Sequence, residues 1–587
     1  MDESQCITAP DVELAWASFA KNRANIVAKN AVTGQGVRPV ARVPEQAARN
    51  TGTFDIEVKQ GDRTDQMRSG RCWMFAALNT LRMRVMEKYK LKTFEFSQAF
   101  PLYWDKAEKA NWFLENILDT LDEPVGSRTL DFLLLDPVGD GGAWDMFCAL
   151  VKKYGAVPKE AMPETACSKN TDDMDMFLTR YLRACAWRLR TQHEQGTGVE
   201  LLRVQKKTLM ANVLHFLTIC LGQPPQTFDV RLRDKDDNLV LAGHFTPQTF
   251  YREACGVNLD DFACIVSAPT ADKPFDRTYT VQRLGNVVEA GGVRYLNLQP
   301  EQLKQLAVKQ LQDGVPVWFG CDVDQSFVRT DGIMDLDALD VDSLFGFDIV
   351  KGFDKAARLD YGESLMTHAM VLEGVNLDEA GHPTLWKVEN SWGKDHGKDG
   401  FDSLTDSWFT EYVYQVVIDK KYLTAERRRA YETMEPIELA PWDPLGALAH
   451  EGMGDDPKKQ RDREAAGPKR QVRESGTAGT GTGIGVPVCC RPLPVPGLSA
   501  LFPMPLTVKR PGCPAKCGNR AFFVGDVRPG YRKVARKAGS CSNGRPKPKK
   551  RMRLWSATKS MSARVRRPPV RITGVSTRAA RSRAASK

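Results

Sequence analysis

The stretch Gln66-Met67-Arg68-Ser69-Gly70-Arg71-Cys72-Trp73-Met74-Phe75 decides how this chain is read. From Cys72 to Lys90, apolar residues recur every three or four positions, at Phe75, Leu78, Leu81 and Val85, which predicts a helix with one buried face. Gly70 stands just before its start, and Lys88 and Lys90 fall in the last turn, where cations complement the helix dipole. Cys72 is then the first helical residue. Unpaired backbone N–H groups and the dipole favour an anion there, so the position populates thiolate, the nucleophilic form of a cysteine. Gln66, six residues upstream, can bring its side-chain amide to the same spot. With the Cys72 N–H it makes a two-donor oxyanion hole for acyl transfer.

A thiolate that does acyl transfer needs an acid/base partner and a group to orient it. His368 opens the run His368-Ala369-Met370-Val371-Leu372, and Asn390 lies near the end of Leu385–Trp392. Folded as an antiparallel hairpin turning near Glu379, these runs set His368 opposite Asn390, Met370 opposite Val388 and Leu372 opposite Trp386, all on one face. The asparagine carbonyl can then accept from one imidazole nitrogen and leave the other facing the thiol, a Cys-His-Asn set of nucleophile, base and orienter. Trp392, two positions on from Asn390, has the parity to cover the His–Asn hydrogen bond and keep water off it.

Outward from these motifs, helical spacing is predicted over Val12–Phe19, 97–120, Trp144–Tyr154 and 170–222. Phe228–Ala242 reads as a hairpin about Asp234–Asp237, and Gln302–Asp313 as a helix leading into a strand at Val315–Val323. Further strands are expected at 368–373 and 384–390. Helices first and strands later indicate an α+β body. Gly139–Gly142 lacks the GKS/T ending of a phosphate loop and reads as a turn at a cleft edge.

The 587 residues carry a net charge of +10, which averages two unlike pieces. Residues 450–587 hold 32 Lys+Arg against 7 Asp+Glu, whereas residues 1–449 hold 51 against 66. The body is acidic; the tail is basic, Pro-rich and without helical or strand period, and it is expected to be disordered. Within it Lys547, Lys549, Lys550, Arg551 and Arg553, with Trp555 nearby, suggest nonspecific binding of nucleic acid or another polyanion. Its abrupt onset fits a read-through product equally well. No apolar run reaches the ~18–20 residues of a bilayer helix, and no basic start with an apolar stretch opens the chain, so a cytoplasmic protein with no membrane association is expected.

The Gln–x5–Cys–Trp, His and Asn–Ser–Trp elements resemble the papain superfamily of cysteine peptidases. Arg68–Trp73, Asp140–Asp145, Thr367–Met370 and Trp442–Ala449 narrow the resemblance to the bleomycin hydrolase/aminopeptidase C family, over essentially residues 1–449. It implies a papain-like fold, helical in one half and β-rich in the other, and a cysteine aminopeptidase acting on peptides without a cofactor or metal. A papain-like endopeptidase, or a nucleic-acid-binding protein working through the tail, are the competing readings. Carried over by motif, Cys72 is the nucleophile, His368 the base, Asn390 the orienter and Gln66 the oxyanion donor, supported by Trp392.

His368 follows Cys72 by 296 residues, about twice the ~130–150 usual for papain-like chains, so insertions must separate the halves. The resemblance supplies a helical hook domain that assembles six subunits, and places the last residues in the cleft, where a free carboxylate receives the substrate amine. The expected organisation is an N-terminal arm (1–60), a helical half (61–165), a hook insertion (166–255), a β-rich half (256–433), a C-terminal arm (434–449) and the tail (450–587). Ala447, Leu448 and Ala449 match the amine-anchoring end, but His450 follows through a peptide bond. The remaining cysteines and histidines of the body read as structural. His396, in a Gly/Asp/Lys loop, reads as solvated.

Overall fold

The computed structural model describes residues 5–449 except 50, 51 and 60, and not the side chains of 47 and 49. The basic tail, expected to be disordered, lies outside the described residues. Helices dominate to Leu221 and strands follow, the α+β order expected.

The helix Cys72–Tyr89 runs through the centre. Every residue from Cys72 to Arg82 is buried, so the expectation of one buried face is corrected for its first three turns. Those turns are enclosed by the helices Ala99–Asp119 and Trp144–Tyr154 on one side and by the sheet on the other, where Trp318 Nε1 donates to the Trp73 carbonyl at 3.0 Å. Only beyond Arg82 does the chain return to a one-sided stripe, with Val85 and Met86 buried and Arg84, Glu87 and Lys88 exposed. Lys90 ends the helix in a left-handed conformation, its N–H turned back to the carbonyls of Met86 and Glu87.

Among the described residues the main sheet has twelve strands. Its middle runs Phe262–Val266, Val413–Asp419, Val317–Cys321, His368–Leu377, Pro383–Glu389, Phe401–Thr405. Side chains alternate between two cores: Trp318, Ala369 and Val371 face the helical half, while Phe319, Met370 and Leu372 pack with Trp386, Val388 and Trp408 on the other side. Burial on both faces explains why these strands read as nearly continuous apolar runs.

The hairpin register differs from expectation. Val371 pairs with Glu389 and Leu372 with Val388; Gly374 pairs with Lys387 and Val375 with Trp386. A bulge at Glu373 absorbs one residue, and the turn spans Asp378–His382. Asn390 therefore falls across from Met370, not His368. The slip is by two, so parity is preserved, and the side chains meet on the diagonal. Glu373 is buried at the bulge, and burial and then neighbouring Glu389 push its carboxyl up. Arg82, from the central helix, pairs with Glu389.

Residues 166–255 contain the helices Asp172–Glu194 and Val199–Leu221 and the hairpin Phe228–Arg233/Leu239–Phe245, all close to the expected bounds.

Candidate active site

The N-cap of the central helix is Arg71, which makes no side-chain capping bond. Its guanidinium is committed elsewhere: to both oxygens of Glu164 at 3.1 and 3.0 Å, to the Ser168 carbonyl and to Ser69 Oγ. Burial opposes it, but Arg71 holds the Glu164 carboxyl below its usual range. Met74 and Phe75 give their N–H groups to the Arg71 carbonyl, and no side chain caps this helix start, whose dipole favours an anion at Cys72. The thiol is fully buried.

Gly70, two residues upstream, donates its N–H to Asp140 Oδ2 at 2.6 Å. Asp140 also takes the Thr171 hydroxyl and pairs with buried Lys106, whose ammonium bridges to Asp175. One cation thus serves two carboxyls. Despite burial, Lys106 and these hydrogen bonds hold Asp140 well below the carboxylate range, while burial raises Asp175 to about 7.

Gln66 is fully buried beside the asparagine segment. Its N–H donates to the Ser391 carbonyl at 2.8 Å, and its Oε1 accepts from Ser391 Oγ at 2.5 Å. One side-chain N–H goes to the Ser69 carbonyl at 2.6 Å. Gln66 is therefore oriented by both the segment that leads into Cys72 and the segment that carries Asn390.

His368 pairs in the sheet with Cys321, three residues from the Trp318 that touches Trp73. His368 Nε2 lies 3.0 Å from Asn390 Oδ1, with both side chains buried. Trp392 lies over the histidine with ring centroids 4.8 Å apart and is itself only 4% exposed, in the covering place expected. The structure thus brings His368, Asn390, Gln66 and Trp392 together.

Two further residues join them. Asn390 Nδ2 donates to Asp402 Oδ2 at 2.8 Å, and His396 Nε2 meets the same oxygen at 3.1 Å, with Oδ1 3.0 Å away. The expectation of a solvated His396 is overturned. Its side chain is 13% exposed because Trp392 and Phe327 close over it edge-to-face. No spacing pattern marks Asp402; only the pairing of its strand with Pro383–Glu389 carries it to Asn390.

The expected C-terminal residues reach the same region. Gly142 N donates to the Ala449 carbonyl at 3.1 Å, and Ala449 is fully buried. Gly142 lies against Trp73, whose Nε1 donates to the Asp140 carbonyl. Lys109 fixes the Gly139–Gly142 turn through the carbonyls of Gly139 and Gly141. Among the described residues, no group of three or more His, Cys, Asp or Glu is placed to hold a metal ion, and no helix is long and apolar enough to cross a membrane.

A cysteine opening a central helix, with a His–Asn pair on the facing sheet under a tryptophan, defines a papain-like cysteine peptidase. The chain matches the model of the Peptidase C1-like family over residues 6–446 and belongs to that family. It is 44% identical to Aminopeptidase C of Streptococcus thermophilus over 74% of this chain and 98% of the relative. It is 42% identical to Bleomycin hydrolase of Gallus gallus over 66% and 86%. The crystal structure of PepW from Lactobacillus rhamnosis HN001 is similar at 46% identity and a TM-score of 0.74, covering 76% of this chain and all of that one.

Proposed function

We propose that this chain is a cysteine aminopeptidase that releases N-terminal residues from peptides, with Cys72, His368, Asn390 and Gln66 dividing the chemistry. Cys72 Sγ attacks the scissile carbonyl carbon as thiolate. The resulting oxyanion is received by the Cys72 N–H and the Gln66 amide. His368, held through Nε2 by Asn390, presents Nδ1 to the reacting groups and gives its proton to the leaving amine nitrogen. A thioester remains. His368 then takes a proton from water, whose oxygen attacks the thioester carbonyl; the acyl group leaves as a carboxylic acid and the thiolate returns. Trp392 keeps solvent from competing for the His–Asn hydrogen bond.

The observation that carries this reading is the buried 3.0 Å contact between His368 Nε2 and Asn390 Oδ1. An exopeptidase is favoured over the endopeptidase reading by Ala449, whose carbonyl is held by Gly142 beside Trp73 and the nucleophile turn. A free carboxylate at Ala449 would receive the substrate's α-ammonium in a charge-assisted hydrogen bond. An amide to His450 carries no charge, so trimming after Ala449 creates the anchor. The nucleic-acid reading falls on the tail, outside the described residues.

Self-association belongs to the same proposal, a hexamer by resemblance, with the hook insertion supplying contacts. Its helices leave Trp187 and Ile219 67% and 72% exposed, apolar surface that a neighbouring subunit would cover. A cytoplasmic location is proposed with it.

The test is hydrolysis of an aminoacyl-coumarin by the purified protein. Cys72→Ala should lose turnover by at least ~10⁴-fold while keeping the fold, and stoichiometric iodoacetamide should label Cys72. Normal turnover in that variant, or another cysteine taking the label, would remove the assignment.

A further inference from the structure

We infer that Asp402, partnered by His396, is a positioning residue for the catalytic pair: its carboxylate fixes the Asn390 amide in the one orientation that turns Oδ1 toward His368. The inference rests on the reading of His368 and Asn390 as base and orienter.

A primary amide presents an oxygen on one side and an N–H₂ on the other, and a half-turn exchanges them. If Asn390 turned its nitrogen toward His368, it would offer a donor to a ring nitrogen that must itself carry a proton when the imidazolium forms. Two contacts forbid this. Ser391 N–H donates to Asn390 Oδ1 at 2.8 Å, and Asp402 Oδ2 accepts from Nδ2 at 2.8 Å. An acceptor must sit where Asp402 sits, and an ionised carboxylate is a strong acceptor that never donates.

The carboxylate is held in a closed place. Its side chain is 0% exposed. A β-carbon added at Gly332 or Gly397 would fall 2.8 or 2.4 Å from Oδ1, so two glycine backbones with φ of +65° and +53° wall it in. A buried carboxylate stays ionised only when it is paired. His396 Nε2 offers that partner, hydrogen-bonded to Oδ2 at 3.1 Å and 3.0 Å from Oδ1, and among the described residues no lysine or arginine is bonded to Asp402. The other charged groups around the cluster are engaged apart from it. Arg329 lies over Trp392 and pairs with Asp324; Glu389, on the adjoining strand, pairs with Arg82; Arg63 pairs with Asp399. Trp392 lies between the two imidazoles, 4.8 Å from His368 and 4.7 Å from His396, so one ring packs the working histidine and its supporting one.

A fixed negative charge behind Asn390 also favours the imidazolium of His368 over its neutral form. Asp402→Asn keeps the shape and removes the charge and the obligatory acceptor. It should lower kcat about tenfold with KM little changed, and should move the alkaline limb of kcat/KM to lower pH. His396→Gln removes the imidazole and keeps a donor, so its kcat should fall less than that of Asp402→Asn.

The experiment is the pH dependence of kcat and kcat/KM for full-length wild type, Asp402→Asn, His396→Gln and Asn390→Ala, each normalised to active sites titrated with iodoacetamide. A lowered kcat and displaced alkaline limb in Asp402→Asn support the inference. Should Asp402→Asn keep the wild-type kcat and limb per active site while Asn390→Ala is impaired, the carboxylate is structural only and the inference is overturned alone. An unimpaired Asn390→Ala removes the reading of the site, and this inference with it.

Discussion

Trp73 lies so close to Gly142 that a β-carbon at residue 142 would fall 2.2 Å from the indole. The same glycine gives its N–H to the Ala449 carbonyl, so one residue both packs the neighbour of Cys72 and holds the chain's proposed amine anchor. Gly142→Ala should therefore separate the two functions of the turn. The indole is rigid and cannot yield, so the clash should cost about 1–3 kcal/mol of stability. Ala449 should shift with it. Denaturant melts should show the stability loss, and kcat/KM on a free-amine substrate should fall more than on its N-acetylated counterpart.

The peptide bond after Ala449 should be cut before the enzyme reaches full aminopeptidase activity. Intact mass followed over time should show wild type shortening toward residue 449, with Cys72→Ala retained at full length if the enzyme trims itself. The uncut chain should lose its preference for free N-termini. A full-length chain that persists and still hydrolyses only free amines at the trimmed rate would remove the anchor.

Exposed apolar side chains on the helices Asp172–Glu194 and Val199–Leu221 predict self-association. Sedimentation at micromolar concentration should give a species several times the 65.5 kDa chain mass. Trp187→Glu should dissociate it, because the substitution places a charge in surface that association desolvates. A monomer in wild type would remove the proposal.

The carboxyl of Asp175 supplies a pH test. Burial raises it to about 7, from an ordinary carboxyl value of 3.8. The native state therefore binds the proton that the unfolded chain has already lost between these values, so stability falls as pH rises across that window. Asp175→Asn has no proton to lose. The melting temperature of Asp175→Asn relative to wild type should rise from pH 4 to pH 8, and a constant difference would show that Lys106 keeps both carboxylates charged.

Asn390→Ala should reduce kcat roughly 10–100-fold, less than the 10²–10⁴ attributed to a working acid/base such as His368. It removes orientation and leaves the proton carrier in place. Equal losses in Asn390→Ala and His368→Ala would mean that the asparagine does more than orient.

Much of the site was legible because its signals are local. Cys72 is marked by the helix that begins there, and the parity of His368, Asn390 and Trp392 follows from the pleat whatever the register. The register itself was not legible, since the bulge at Glu373 depends on accommodating a buried carboxyl beside Glu389 and Arg82. The burial of Cys72–Arg82 on all sides was hidden by its polar members. Asn79 reads as surface until Thr64 is brought to it, and Arg82 until Glu389 is. His396 looked solvated because the rings that cover it come from Phe327, 69 residues earlier, and Trp392. Asp402 carries no signature at all, because a single carboxylate acquires meaning only from the strand pairing that sets it behind Asn390.

The separation of the nucleophile from its partners has a consequence for how the enzyme comes into being. Cys72 leaves the ribosome 296 residues before His368 and 330 before Asp402. At about 5–20 residues per second, roughly 15–60 s pass in which the thiol exists without its base. The central helix cannot bury its first turns until the strand carrying Trp318 arrives to meet Trp73. Until that strand arrives, a nascent chain carries the thiol without the histidine proposed to act with it.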